Sequence, residues 1–159
     1  MLLYFLRHGI AADREAWRGS DDDRPLTGEG VERMKREART MADLGLSVDL
    51  IVTSPLRRAR ETAEIAAKAL KCRNGLVEDE RAGLAFDERN ARAILNDRSG
   101  MQSVMFVGHE PSMSETIGAL LGGAGVELKK GALACVEIDD GSSKSGTLLW
   151  LLPPKVLLR

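Results

Sequence analysis

Apolar positions along the chain fall into two alternating rhythms. Leu2–Leu6 is a short continuous apolar run closed by Arg7-His8-Gly9, the pattern of a buried strand. Residues 10–26 are polar and turn-rich, with Asp21-Asp22-Asp23 and Pro25, and read as a loop long enough to suggest a task of its own. Thr27 is placed to cap a helix over about 28–44. In that helix Val31, Met34, Ala38 and Met41 recur at helical spacing, Glu32, Arg33, Lys35, Arg36 and Glu37 are expected to face out, and Gly45 stops it. Val48–Thr53 is a β-branched run and the next predicted strand. Ser54-Pro55 then looks like an N-cap and first helical position for a helix to about Ala69 or Leu70.

The second half continues the alternation. Leu76–Val77 predicts a short strand, 87–97 a helix, Ser103–Val107 a strand ended by Gly108-His109, and Ser112–Leu121 a helix closed by Gly122-Gly123. Ala132–Ile138 and Thr147–Leu152 flank the turn-rich stretch 139–146 and predict a hairpin. Strands alternating with helices imply an α/β fold, here a three-layer sandwich with a mostly parallel, mixed central sheet and helices on both faces. The expected core draws on Leu3, Phe5, Leu50, Ile51, Val52, Val104, Phe106, Val136 and Leu149, with Trp150 also inside and Trp17 anchoring the loop after the first strand.

Composition narrows the function classes. A length of 159 residues suits one domain spanning 1–159. A net charge of −1 lacks the basic footprint of a nucleic-acid binder. No apolar stretch reaches the roughly 18 residues of a membrane helix, and the first residues do not read as a secretory signal, so a cytoplasmic protein is expected. Cys72 and Cys135 lie in no CxxC or metal-like spacing and read as free thiols.

Candidate chemistry concentrates at strand ends. The sequence has two histidines, and each follows directly on a predicted strand: His8 on the first, His109 on the fourth. In open α/β sheets ligands bind beyond the carboxyl ends of the strands, so topology alone delivers both imidazoles to one edge. Arg7 precedes His8, and Arg57, Arg58 and Arg60 open the helix after the second strand. Guanidinium forks match phosphate oxygens, and the helix N-termini after Ser54 and Pro111 offer backbone N–H groups to the same kind of anion. Arg57 and Arg60 read more simply as a solvated helix face, since 16 of the 23 basic residues are arginine. There is no GxxxxGK[ST] loop and no GxSxG elbow. Histidine spacing does not favour a metal, and the arginines would repel one, so neither metal nor cofactor is expected.

These residues form an ordered set: Leu6-Arg7-His8-Gly9, then Asp23-Arg24-Pro25-Leu26-Thr27-x-x-Gly30, then Ser54-Pro55-Leu56-Arg57-Arg58-Ala59-Arg60-Glu61-Thr62, then Val107-Gly108-His109-Glu110-Pro111. Together they resemble the histidine phosphatase superfamily, which includes the cofactor-dependent phosphoglycerate mutases, and within it the small SixA-type branch. The resemblance implies that His8 is the nucleophile that becomes phosphorylated. It implies that Arg7, Arg58 and His109 complete the phosphate pocket, with Arg24 a further substrate contact. Many members carry a glutamate general acid just after a D-x-R-L stretch. Here Asp79-Glu80-Arg81-Ala82-Gly83-Leu84 places leucine there, which leaves Glu80, Asp87, Asp21, Asp22 and Asp23 as candidate acids with nothing to choose among them.

A neutral imidazole is a competent nucleophile toward phosphorus when its tautomer is fixed. Expelling an alkoxide needs a proton donor, whereas an imidazole nitrogen, with a pKa of about 6.5 in histidine, leaves with less help. The expectation is a metal-independent phosphatase acting on phosphohistidine carried by a protein, such as a histidine phosphotransfer domain. A small-molecule phosphomonoesterase of the same superfamily and a non-catalytic phosphate- or phosphoprotein-binding module are the alternatives.

Overall fold

The computed structural model describes residues 1–72, 74–139 and 145–159. Six strands form one sheet: β1 (Leu2–Arg7), β2 (Leu50–Thr53), β3 (Leu76–Glu78), β4 (Ser103–Gly108), β5 (Leu133–Glu137) and β6 (Thr147–Leu152), in the order β3-β2-β4-β1-β5-β6. The pairs β3/β2, β2/β4 and β4/β1 are parallel, and β5 is antiparallel to both β1 and β6. The sheet is thus mixed and mostly parallel, as the alternating pattern predicts. The tip of the expected β5–β6 hairpin, 140–144, lies outside the described residues.

Strand side chains alternate between faces, which divides the core in two. Leu3, Phe5, Val52, Val104, Phe106 and Val136 point to one side, against α3 (Glu88–Asn96) and α4 (Ser112–Leu120). Tyr4, Leu6, Ile51, Met105, Val107 and Cys135 point to the other, against α1 (Gly28–Asp43), α2 (Arg57–Leu70) and the short α5 (Pro154–Leu157). Each fully buried large side chain of this kind contributes roughly 1.5–3 kcal/mol to the fold. Both faces of the central strands are covered, which is why β1, β2 and β4 read as unbroken apolar runs.

Four expectations change. Leu149 is exposed rather than core, because the register of β6 slips between Cys135↔Trp150 and Val136↔Leu148 and leaves Leu149 as the extra residue of a bulge on an edge strand. Trp150 is only half-buried, its ring 5.9 Å from that of Tyr4. Glu37 faces inward and is 2 % exposed, since it shares the stripe of Met34, Ala38 and Met41 at helical spacing. Ser54-Pro55 does not open α2: the helix begins at Arg57 without a side-chain cap, and the Ser54 hydroxyl is engaged elsewhere. Both cysteines are free, Cys135 buried and Cys72 half-buried.

Candidate active site

The strand order places the ends of β2, β4 and β1 side by side, so the residues that follow them converge. From β1 come Arg7 and His8, from β4 His109 and Glu110, and from the start of α2 Arg58. With Arg14, Asp21, Arg24, Leu84 and Lys130 they line a cavity of about 300 Å3. Arg58, His8 and His109 are buried, as a polar cluster can be only where each group finds partners or awaits a ligand.

His8 is held at both ends. Its backbone N–H donates to the Gly108 carbonyl at 3.0 Å, which ties it to the end of β4. Its Nδ1 lies 2.7 Å from the Gly9 carbonyl oxygen. A carbonyl only accepts, so Nδ1 carries the proton and Nε2 keeps its lone pair, the tautomer a nucleophile requires. Burial pushes the ring pKa down to about 3, with His109, Arg58 and Arg7 adding in the same direction and the Gly9 bond opposing. The imidazole is therefore neutral across the physiological range.

The Gly9 N–H donates to Thr62 Oγ1 at 3.1 Å, and that hydroxyl donates to the Arg58 carbonyl at 2.8 Å. The two halves of the site, one after β1 and one in α2, are thereby locked together through Thr62. Gly30 serves the same end. A Cβ at that position would overlap the Ile10 carbonyl oxygen, so only glycine lets α1 start flush against the segment that follows His8.

His109 stands beside His8, ring centroids 5.3 Å apart. Its Nε2 is 2.7 Å from Ser54 Oγ, while its buried Nδ1 has no partner. Burial, then Arg58, lower its pKa to about 4 against the opposing pull of Asp21. Arg58 donates from Nη1 to the Asp21 carbonyl at 2.9 Å and from Nη2 to Asp21 Oδ2 at 3.1 Å, and its buried Nε is free. Arg7 donates from Nη1 to the Leu128 carbonyl at 2.8 Å, and its buried Nε is likewise free. Two guanidinium groups with unspent N–H donors, His109 with its Nδ1 unpartnered and His8 with a free lone pair on Nε2 thus line one cavity, an arrangement suited to a tetrahedral oxyanion.

Of the residues the sequence singled out, Arg7, His8, Arg58, His109, Arg24 and Asp21 all line this cavity. Arg24 is fixed by donating from Nε to Asp21 Oδ1 at 3.0 Å and from Nη1 to the Ala12 carbonyl at 2.8 Å. The other candidate acids do not line it. Glu80 is exposed, Asp87 caps α3 by accepting from the Asn90 N–H at 2.8 Å, and Asp22 and Asp23 point outward. Asp21 is inside, but the bonds from Arg24 and Arg58 overcome its burial and hold its carboxyl below the usual range, so it is a poor proton donor. Trp17 is not a lining residue. Its Nε1 donates to the Ser20 carbonyl at 2.8 Å, which anchors the loop as expected. Arg57 and Arg60 pair with Glu61 and Glu78 on the outer face of α2.

Leu84, which the sequence puts at the position of the family's acid, does line the cavity, and three further lining residues escaped the sequence reading: Arg14, Glu110 and Lys130. Glu110 had a visible signal, lying between His109 and Pro111 at the same strand end. The others come from loops whose path no local pattern encodes. Among the described residues no group of three or more His, Cys, Asp or Glu side chains is arranged to hold a metal ion.

A family model described as histidine phosphatase superfamily (branch 1) matches residues 3–82, which include His8, Arg24 and Arg58. The chain belongs to the histidine phosphatase superfamily. It is 37 % identical, over 99 % of both chains, to an uncharacterized protein of Picosynechococcus sp.. It is 27 % identical to the phosphohistidine phosphatase SixA of Escherichia coli, covering 97 % of this chain and 94 % of that one. A structure of the protein histidine phosphatase SixA complexed with tungstate superposes with a TM-score of 0.85 at 25 % identity, over 99 % of each chain. The fold and the family resemblance read from the RHG, SPxxRAxxT and GHxP segments agree with these matches. The chain is a histidine phosphatase superfamily phosphatase of the SixA-like type.

Proposed function

We propose that this phosphatase removes phosphate from phosphohistidine displayed on another protein, through a covalent intermediate on His8. In the first step His8 Nε2 attacks phosphorus in line. The substrate ring carries a proton on its other nitrogen, so when its bond to phosphorus breaks the electron pair goes to the ring nitrogen that held phosphorus and neutral imidazole leaves. Arg7 and Arg58 hold the oxygens, and His109 lies against the same group. The transferring phosphoryl spreads its charge over three oxygens, so fixed donors around them provide most of the rate. Water then attacks phospho-His8 and releases phosphate.

One observation carries the choice of substrate. Leu84, 57 % exposed, lines the cavity at the place where the family resemblance calls for a glutamate acid. Asp21, the acid candidate inside, is tied to Arg24 and Arg58. A site with no ready proton donor handles a phosphoramidate better than a phosphomonoester, because imidazole is a far better leaving group than an alkoxide. The E. coli relative's name points the same way, and tungstate in the similar structure is an oxyanion of phosphate-like shape. The partner is then a protein that carries an accessible phosphohistidine, such as a histidine phosphotransfer domain.

The test is turnover with chelator present, comparing a phosphohistidine-bearing protein with a panel of phosphomonoesters, beside His8→Ala. Release from phosphohistidine alone, abolished in the variant, is expected. Faster hydrolysis of one monoester would move the assignment to a metabolite phosphatase. Phosphate binding without any turnover would make the protein a binding module.

A further inference from the structure

Glu110 is the second carboxylate lining the cavity, and its position differs from that of Asp21. The oxygens of Asp21 accept from Arg24 and Arg58. The Glu110 Oε1 is buried and accepts from nothing, although Arg7 with its own free Nε is near enough for the Glu110 charge to act on it. A buried acceptor left without a donor is unfavourable. A donor entering the cavity would remove that cost. Glu110 is also fixed by the chain: it directly follows His109 at the end of β4, one strand from His8.

We propose that Glu110 is the proton acceptor for the water that hydrolyses phospho-His8. The inference rests on His8 as the nucleophile. In this step the water oxygen bonds to phosphorus while the bond from phosphorus to His8 Nε2 breaks. The electron pair returns to Nε2, which restores the neutral ring with its proton on Nδ1. The water proton passes to the Glu110 carboxylate and from there to solvent. On this reading the two steps differ: Asp21, tied to Arg24 and Arg58, supplies no proton to the first, and Glu110 takes one in the second. That asymmetry fits a substrate whose leaving group needs little help, followed by an intermediate that must be cleared by water.

The experiment uses 32P-labelled phosphoramidate as donor and rapid acid-free quenching of the full-length protein. In Glu110→Gln, turnover should fall about 100-fold or more, the loss typical of a removed general base. Phosphorylation of His8 in a single turnover should stay within about threefold of wild type, and phosphoenzyme should accumulate. Glu110→Asp, which keeps the base but shortens its reach, should recover part of the turnover. Thermal melting and phosphate binding establish that each variant is folded. Wild-type turnover by Glu110→Gln, or a phosphorylation step slowed as much as turnover, would overturn the proposal. Should Glu110→Gln fail to fold, Glu110→Asp decides: turnover equal to wild type, without accumulation, would also overturn it. A wild-type enzyme that turns over without labelling His8 would instead defeat the nucleophile assignment.

Discussion

Asp21 occupies the guanidinium of Arg58: its Oδ2 lies 3.1 Å from Nη2 and its carbonyl oxygen 2.9 Å from Nη1. A carboxylate thus rests on the fork that a phosphate would use, and incoming phosphate must share or displace it. Asp21→Asn removes the competing negative charge while keeping the carbonyl contact. We expect phosphate to bind at least about fivefold tighter, since like charges in a half-buried site repel by a kcal/mol or more. Titration calorimetry with inorganic phosphate measures this. Unchanged or weaker binding would show that Asp21 orients Arg58 rather than competing for it.

The two histidines should not titrate near neutrality in the ligand-free protein. Both pKa values are lowered, to about 3 for His8 and about 4 for His109, chiefly by burial. NMR of the two ring signals should show no midpoint between pH 5 and 8, and a midpoint above 6 for either ring would contradict the assignment. The stability consequence has a definite sign. An unfolded histidine takes up a proton near 6.5, so as pH falls from 6.5 toward 4 the unfolded chain gains protons the folded one refuses. Stability from this source is full above 6.5 and is lost as pH descends through that window.

Glu37 acts in the opposite direction. Burial pushes its carboxyl up to about 7 from 4.5, against the weak pull of Arg33. The folded protein then holds a proton that the unfolded chain has released, so this group costs stability as pH rises from 4.5 through 7. Glu37→Gln removes that cost. The variant should match wild type near pH 4 and exceed it at pH 8 by about 3 kcal/mol, read from urea melts at the two pH values. An equal effect at both would mean that the carboxyl is charged in the fold.

Ser54 holds His109 by its Nε2 at 2.7 Å, and the same hydroxyl accepts from the Leu56 N–H at 3.2 Å. Ser54→Ala should therefore lower kcat by about tenfold through loss of one hydrogen bond that orients the ring, with little change in KM. Arg58→Ala removes a donor to the phosphoryl oxygens and should cost about 100-fold or more in kcat/KM. Steady-state kinetics of the two variants separates positioning from direct contact. Equal losses would contradict the distinction drawn between them.

Gly30→Ala should destabilise the protein and slow it together. A Cβ there overlaps the Ile10 carbonyl oxygen, and relief requires moving either α1 or the segment after His8. A drop in melting temperature with a fall in kcat is expected, and a silent substitution would show that the segment gives way freely.

Much of this was legible in the chain because the central strands are short apolar runs and each chemical group follows one directly. His8, Arg58 and His109 are placed by parallel topology, which a sequence pattern carries. What escaped was set by contacts distant in sequence. The slip of β6 that exposes Leu149 depends on pairing with β5. The inward turn of Glu37 depends on the space left by Gly131, whose absent Cβ would touch it. Ser54 looked like a helix cap because its bond to His109, 55 residues away, has no local signature. Arg14 and Lys130 reach the cavity from loops, and only the folded chain shows that they do.

The most direct test of the account follows the label from a 32P-phosphohistidine protein in a single turnover. Transient radioactivity on His8, stable to alkali and lost in acid, absent from His8→Ala and followed by free phosphate, is the predicted result. Phosphate released at full rate with no label ever appearing on His8 would contradict it.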